Sequence, residues 1–396
     1  MSAEAEPGTR TDDDGVAVPE EVLRARAYLM RLAEPPAPRL AHLVALLGPV
    51  EAAERIRGGA DLGRHVGAEV NARRDVDRVD ADLDGVRALG GRLVVPEDAD
   101  WPVAAMAGFD HPGLDASTDW VTPLGLWVRG PGSLATVGDA GHRSVAVVGS
   151  RAATGYGRWV AREWSASLAD EGLTVVSGAA FGIDGAAHRG ALAVDGRTVA
   201  VLACGVERAY PAAHARLLET IAAQGLVVSE YPVGAVPARH RFLVRNRLIA
   251  ALASGTLVVE AGARSGATRT ASAALELGRP VMAVPGPVTS ALSVGSHHLA
   301  RQPGVTLVGS VDDVLADVGP VRDSDTSPVR PSGPLDGLST PAVRVHGALR
   351  GFATATVIAL ARESGVDPST VPAALDELAA AGLVILDGER GWCRSG

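Results

Sequence analysis

A chain of 396 residues predicts two or three domains rather than one. Apolar residues at 47% and charged residues at 21% give a globular composition, and aromatics at only 4% leave Ala, Val and Leu to build the core. The formal net charge of −9, taken alone, speaks against a nucleic-acid binder.

No apolar run is long enough to span a membrane. Residues 1–20 lack the basic-then-apolar order of a secretion signal. Cys204 and Cys393 lie far apart and form no metal-spaced motif, so no metal or cofactor is expected and a cytoplasmic location follows by default.

Residues 1–20, acidic at Asp12, Asp13 and Asp14 and without periodicity, predict a disordered tail. Residues 21–66 read as a small helical module, "EVLRARAYLMRLAE" and then "PRLAHLVALLGPVEAAERIRGG", broken by Pro35, Pro36 and Pro38 and by Gly48-Pro49. Residues 67–141 contain helix-like and irregular pieces that lead into the central domain. From Ser144 the pattern changes to short apolar runs alternating with helical segments. The runs are "SVAVVGS", "LTVVSG", "TVAVLACG", "LVVSE", "TLVVEA", "PVMAVPG" and "VTLVG". Continuous apolar strands between helices imply a parallel sheet covered on both faces, the doubly wound α/β class. This predicts an extended Rossmann-like domain over 67–319.

Residues 320–340, rich in Pro, Ser, Asp and Gly, predict a linker. Residues 341–396 carry three helical segments and a final apolar strand, which suggests a winged-helix-like module. Asp367 is expected to cap its last helix, with Pro368 at the first helical position. That helix has no Arg and carries Asp376 and Glu377, a poor composition for reading a DNA groove. A structural or protein-contact role is therefore expected of it.

Three strand-to-helix turns share one chemical theme. They are Gly149-Ser150-Arg151, Ser177-Gly178 with Gly182, and Ser265-Gly266-Ala267-Thr268. In a parallel sheet such turns share one rim, where glycine allows close approach and helix N–H groups attract anions. Any one of them reads equally well as a tight connection; three on one rim favour a ligand. Neither the dinucleotide G-x-G-x-x-G nor the P-loop pattern is present, and the chain has no Lys, which disfavours NAD or ATP chemistry.

The segment "ARHRFLVRNRLIAALA" is the other prominent feature. Arg239, Arg241, Arg245 and Arg247 crowd together with Phe242, and no acidic residue stands between Glu230 and Glu260. Arginines interleaved with an aromatic suit a single strand, cations following the backbone while a base stacks on the ring. The alternative is a helix start whose arginines are solvated or paired with Glu230 and Glu260. Asp184 and His188, four apart on one helix face, are read as a helix cap and its neighbour rather than an acid–base pair. His297-His298 lacks further ligands for a metal. Glu207 and Tyr210 are placed on the same rim.

At these residues the chain resembles the DNA-processing protein A family (DprA, also called Smf). The resemblance runs through "VGSRAATGYG", "SGAAFGIDGAAHRGAL", "ACGVERAYP", "SEYPVG", "RFLVRNRLIAALA", "VVEAGARSGATRTASAALELGRPVMAVPG" and "GSHHLA", in the family's order from Trp101 to Val314. It implies single-stranded DNA binding by an extended Rossmann domain, a homodimer, and loading of the RecA recombinase in natural transformation. It also implies a helical module of SAM or helix-hairpin-helix type in front, and no enzymatic activity. Carried over by motif, Arg151, Ser177, Gly178, Arg241, Phe242, Arg245, Asn246 and Arg247 contact the strand, with Ser265, Gly266 and Thr268 lining the pocket. Two departures are Arg241 where Lys is frequent and Leu243 where Pro is usual. A nucleotide-processing enzyme of the phosphoribohydrolase class is the alternative, but its P-G-G-x-G-T-x-x-E pattern is absent, and Glu260 precedes the third loop.

Overall fold

A computed structural model describes residues 18–110, 120–139, 141, 143–318, 335, 337–349, 354–387 and 391–395. The expected tail up to residue 17 and most of the expected linker lie outside the described residues.

The chain begins with helices Glu20–Leu32, Pro38–Leu47, Pro49–Arg57, Gly63–Val70 and Val79–Ala88. The break at Gly48-Pro49 falls where glycine and proline predict it. A nine-stranded sheet follows, made of β1 (Gly91–Val94), β2 (Leu126–Arg129), β3 (Ser144–Val148), β4 (Thr174–Ser177), β5 (Thr198–Leu202), β6 (Leu226–Ser229), β7 (Gly255–Val258), β8 (Val281–Ala283) and β9 (Val305–Leu307). Their spatial order is β1-β2-β6-β5-β4-β3-β7-β8-β9. The seven strands from β3 to β9 stand on the seven apolar runs and pair in parallel, with Ala146 opposite Thr256 and Val147 opposite Leu257.

The sheet is mixed, which corrects the expectation of a purely parallel one. β1 pairs antiparallel with β2, and β2 antiparallel with β6, where Trp127 faces Ser229. Each has four residues, "GRLV" and "LWVR", and a long connection carrying Trp101 and Phe109 separates them. Neither a long apolar run nor a hairpin turn announces such a pair.

Alternate residues of each strand enter different cores. Ala146, Val148, Val199 and Val201 pack with the helices Arg239–Ala251 and Gly266–Glu276. On the other face, Val145 and Val147 pack with helices Gly155–Asp170 and Ile183–Ala193. Ala200, Leu202, Leu93 and Trp127 share a core with Tyr28, Leu29, Leu40 and Ile56 of the N-terminal helices. Residues through 322 accordingly form one compact unit, and those from 323 a second. Among the described residues no helix is long and apolar enough to cross a membrane.

The second unit has helices Thr340–Ala348, Val357–Ser364 and Val371–Ala380 and a hairpin of β10 (Val384–Asp387) and β11 (Gly391–Arg394). Its core is Val345, Leu349, Leu360, Leu375, Leu378 and Val384. The last helix starts later than expected, at Val371 with Pro372 in its first turn. Asp367 instead holds the preceding turn, accepting from the Ser369 N–H at 2.8 Å.

His188 sits fully buried beneath the sheet, its Nδ1 2.7 Å from the Thr198 hydroxyl, which donates to the Val175 carbonyl at 2.8 Å. It does not bond to Asp184. Burial pushes the imidazole down from 6.5 to about 3. The folded ring stays neutral while the unfolded chain takes up a proton. The contribution of His188 is therefore intact above its unfolded value and is lost as pH falls toward about 3. The expected slope approaches about 1.4 kcal/mol per pH unit. Urea unfolding followed across that window should show a shallower pH dependence for His188→Gln than for the natural protein. Equal slopes would refute the assignment.

Candidate functional site

β3 touches both β4 and β7, and the helices that follow β3 and β7 leave to opposite faces of the sheet. The loops after these two strands must diverge, and a crevice opens at their carboxyl ends. The first loop is held in place by Glu260 at the end of the neighbouring run. Its carbonyl accepts the Ser150 N–H at 2.7 Å, and its carboxylate accepts the Thr154 N–H at 2.9 Å and hydroxyl at 2.5 Å. Glu260 is buried and thus serves the loop, not a ligand. The second loop closes against the first at Gly182. With φ 77° and ψ −121° this residue occupies glycine-only backbone, and a Cβ there would run into the Ser150 carbonyl.

The resulting cleft holds about 820 Å³. Its walls carry Arg151, Arg239, Arg245 and Arg264 against one carboxylate, Asp184. Arg151, Arg239 and Arg264 are exposed, and among the described residues none of them has a carboxylate within ion-pair distance. The Arg151 guanidinium lies 5.3 Å from the centre of the Phe242 ring, inside cation–π range. Phe242 in turn meets Tyr210, ring centres 5.2 Å apart and tilted by 43°. Helix Gly266–Glu276 starts at the cleft with Ser265 accepting the Ala267 N–H at 3.2 Å. It has no acid in its first turn, so its N-terminus presents uncompensated positive charge. Asn246 ties the two elements together, donating to the Gly266 carbonyl at 3.3 Å.

Beneath this surface lies Arg245, 4% exposed. It donates to the Val201 carbonyl, and burial lowers it to about 10, still a cation at neutral pH. It passes beside Gly178, where any side chain would collide with its guanidinium. Burial pushes the Asp184 carboxyl above its ordinary value, against the pull of Arg245 and of the Ala180 and Gly178 N–H groups.

Of the residues singled out from sequence, Arg151, Phe242, Arg245, Asn246, Ser265 and Gly266 come together on the cleft. Gly149, Ser150, Asp184, Tyr210, Arg239 and Ala267 line it too, whereas Ser177, Gly178, Arg241, Arg247 and Thr268 do not. Ser177 is fully buried and donates to the Val147 carbonyl at 2.7 Å. Gly178 makes room for Arg245. The Thr268 hydroxyl turns back to the Ser265 carbonyl at 2.7 Å. Arg241 is bound by Glu34, with Nε 2.6 Å and Nη2 2.9 Å from its two oxygens. Arg247 forms a buried pair with Glu230 at 2.6 and 2.7 Å, donates to the Val121 carbonyl at 2.8 Å and lies over Phe109.

The expectation that the arginine cluster lacks an acid is therefore corrected at two positions. Glu230 reaches Arg247 from the end of β6, and Glu34 reaches Arg241 from the N-terminal helices. Arg239 belonged to the arginine cluster read from sequence but not to the contacts carried over by motif, and Arg264 was left unassigned. Arg264 directly precedes Ser265 in the third turn, and that adjacency was the available signal. Glu207 accepts the Gly234 N–H at 3.0 Å and stays off the cleft, whereas Tyr210 lines it. The His297 ring sits 3.0 Å from the Gly286 carbonyl, and among the described residues no three His, Cys, Asp or Glu side chains gather as a metal site.

Arg247→Ala should act on stability. It strands a buried Glu230 carboxylate that burial already pushes upward, a loss of about 3–5 kcal/mol. Denaturant midpoints at neutral pH check this; an unchanged midpoint would show that the pair carries no weight.

The family profile described as DNA recombination-mediator protein A matches residues 92–319. A putative DNA processing protein DprA of Mycobacterium tuberculosis is 49% identical over 360 residues, 91% of each chain. Protein Smf of Escherichia coli is 42% identical over 217 residues, covering 54% of this chain and 55% of that one. Among solved structures, DNA processing protein A (DprA) from Streptococcus pneumoniae superposes with a TM-score of 0.62 at 31% identity, covering 74% of this chain and 98% of that one. With the profile spanning more than half of its length and a relative this similar across nine-tenths of it, the chain belongs to the DprA/Smf family of DNA recombination mediators.

Proposed function

We propose that the cleft binds one DNA strand, and that the protein is a non-enzymatic mediator that protects incoming single-stranded DNA and loads the RecA recombinase onto it. The observation that carries the strand reading is Arg151, without an ion pair among the described residues, held over the Phe242 ring with Tyr210 beside it. Guanidinium forks of Arg151, Arg239 and Arg264 take backbone phosphates, and the N-terminus of Gly266–Glu276 takes another. The exposed Tyr210 and the half-buried Phe242 offer a face for an unstacked base, which a duplex keeps inside its own stack. A net charge of −9 does not oppose this, because phosphates meet the local cluster.

Family membership supports the recombinase hand-off, a homodimer and a cytoplasmic site of action. The parallel order β6-β5-β4-β3-β7-β8-β9 supports a doubly wound, extended Rossmann-like reading of 67–319, with 21–66 as the helical module on its flank. We read the unit after residue 322 as a winged helix used for protein contact. Its helix Val371–Ala380 has no Arg, and Glu377 is spent on the Ser339 N–H at 2.7 Å and hydroxyl at 2.5 Å. A nucleotide hydrolase would need a carboxylate facing the sugar; Glu260 is turned to Thr154, and Asp184, which lines the cleft, accepts the Ala180 N–H at 3.3 Å.

Arg151→Ala and Arg264→Ala should each weaken binding of a short single-stranded oligonucleotide by about tenfold or more. Each should also reduce the slope of log affinity against log salt by about 0.7. Fluorescence anisotropy across a salt series reads both. Unchanged affinity and slope would remove the cleft from DNA binding. Release of free base from a nucleoside monophosphate by the pure protein would restore the enzyme reading.

A further inference from the structure

Helix Arg239–Ala251 supplies Arg239, Phe242 and Asn246 to the cleft, yet it begins badly. Its first turn is Arg239-His240-Arg241, it has no acidic residue there, and no side chain caps it. Cations at a helix N-terminus oppose the aligned peptide dipoles and one another. Left to itself, this turn would fray.

The missing carboxylate comes from about 200 residues away along the chain. Glu34 follows helix Glu20–Leu32, and its oxygens receive Arg241 Nε at 2.6 Å and Nη2 at 2.9 Å, and His240 Nε2 at 3.0 Å. Arg73, on the N-terminal side of the sheet, adds a contact at 2.8 Å. Arg241 is further fixed by the Val236 carbonyl at 2.7 Å and by the Tyr231 ring at 4.8 Å. Burial pushes the Glu34 carboxyl up, but the bonds from Arg241, Arg73 and His240 outweigh it and hold the group at about 2. Glu34 and Arg241 line a separate cavity of about 380 Å³, not the cleft.

We propose that Glu34 is a positioning residue for strand binding: it provides, from the N-terminal helices, the negative charge that the first turn of Arg239–Ala251 lacks, and so sets Arg239 and Phe242 in the cleft. Arg241 on this view anchors the turn from inside and is not itself a phosphate contact. The inference rests on the single-strand reading of the cleft. It gives the N-terminal helices a share in DNA affinity without any contact to DNA.

The test uses the full chain and anisotropy titration of a short oligothymidylate. Glu34→Gln, which keeps the shape and removes the charge, should weaken binding about three- to tenfold. The salt slope should fall by no more than about 0.7, because Arg239 is the one phosphate contact that Glu34 positions. Glu34→Asp should recover most of the affinity. Amide exchange should accelerate at residues 239–242 in Glu34→Gln while the amides of β3 and β7 keep their protection.

Arg151→Ala, run in parallel, separates the two claims. If it weakens binding while Glu34→Gln does not, the positioning role is overturned and the cleft stands. If Glu34→Gln binds more tightly, Glu34 competes with the strand for Arg241, and the inference is equally overturned. If Arg151→Ala has no effect, the cleft reading falls and takes the inference with it.

Discussion

β3 pairs on one side with the strand that follows it and on the other with a strand that the chain reaches only after laying down β4, β5 and β6. That reversal sends the helix after β3 to one face of the sheet and the helix after β7 to the opposite face. Two loops that part company cannot close over the ends of their strands, so the crevice is a consequence of connectivity. Everything placed there depends on it: Arg151 from the first loop, Arg264 and Ser265 from the loop after β7, and the start of helix Arg239–Ala251 arriving from β6. The glycine backbone at Gly182 and the Glu260 carboxylate do not build the crevice; they hold its lips in one position.

Much of this was legible because a strand buried on both faces has to be apolar throughout. Six of the seven runs of the central domain are buried along their whole strands, and β9 at the edge of the sheet is partly exposed. β1 and β2 escaped notice because an edge pair of four-residue strands needs neither a long apolar run nor a turn between them. The breaks at Gly48-Pro49 and at the prolines at 35, 36 and 38 were equally plain, since they interrupt helix propagation locally, whereas the bound drawn after residue 66 cuts the helix Gly63–Val70. Packing of those helices against Trp127 and Leu202 was not legible: which face of the sheet a module covers is a property of tertiary contacts alone.

The arginines mark the limit of sequence reading more sharply. A guanidinium has five donors and stays charged when buried, so it serves a phosphate and a protein carbonyl equally well. Arg245, Arg247 and Arg279 all spend donors on main-chain carbonyls, and Arg143 reaches the Val318 carbonyl in the same way at 2.5 Å. Counting arginines without a neighbouring acid in sequence failed at Arg241 and Arg247, because Glu34 and Glu230 approach through the fold. Phe242 was the better guide. An aromatic beside cations at a helix start ends up half-buried on the cleft wall, where Arg151 and Tyr210 meet it.

Arg245 nonetheless differs from Arg247 in the charge it presents to the cleft. Arg247 sits against Glu230, and the pair is close to neutral when seen from the cleft. Among the described residues Arg245 has no carboxylate within ion-pair distance; Asp184 is near enough to feel it, but burial pushes its carboxyl above the ordinary value. Its positive charge, screened poorly by the surrounding protein, therefore extends into the cleft from below. Gly178 is what lets that charge come so close to the floor. A residue can thus shape the cleft through its field while lying beneath the surface, and the second loop contributes in that manner: Ser177 by holding β4 to β3, and Gly178 by its absent side chain.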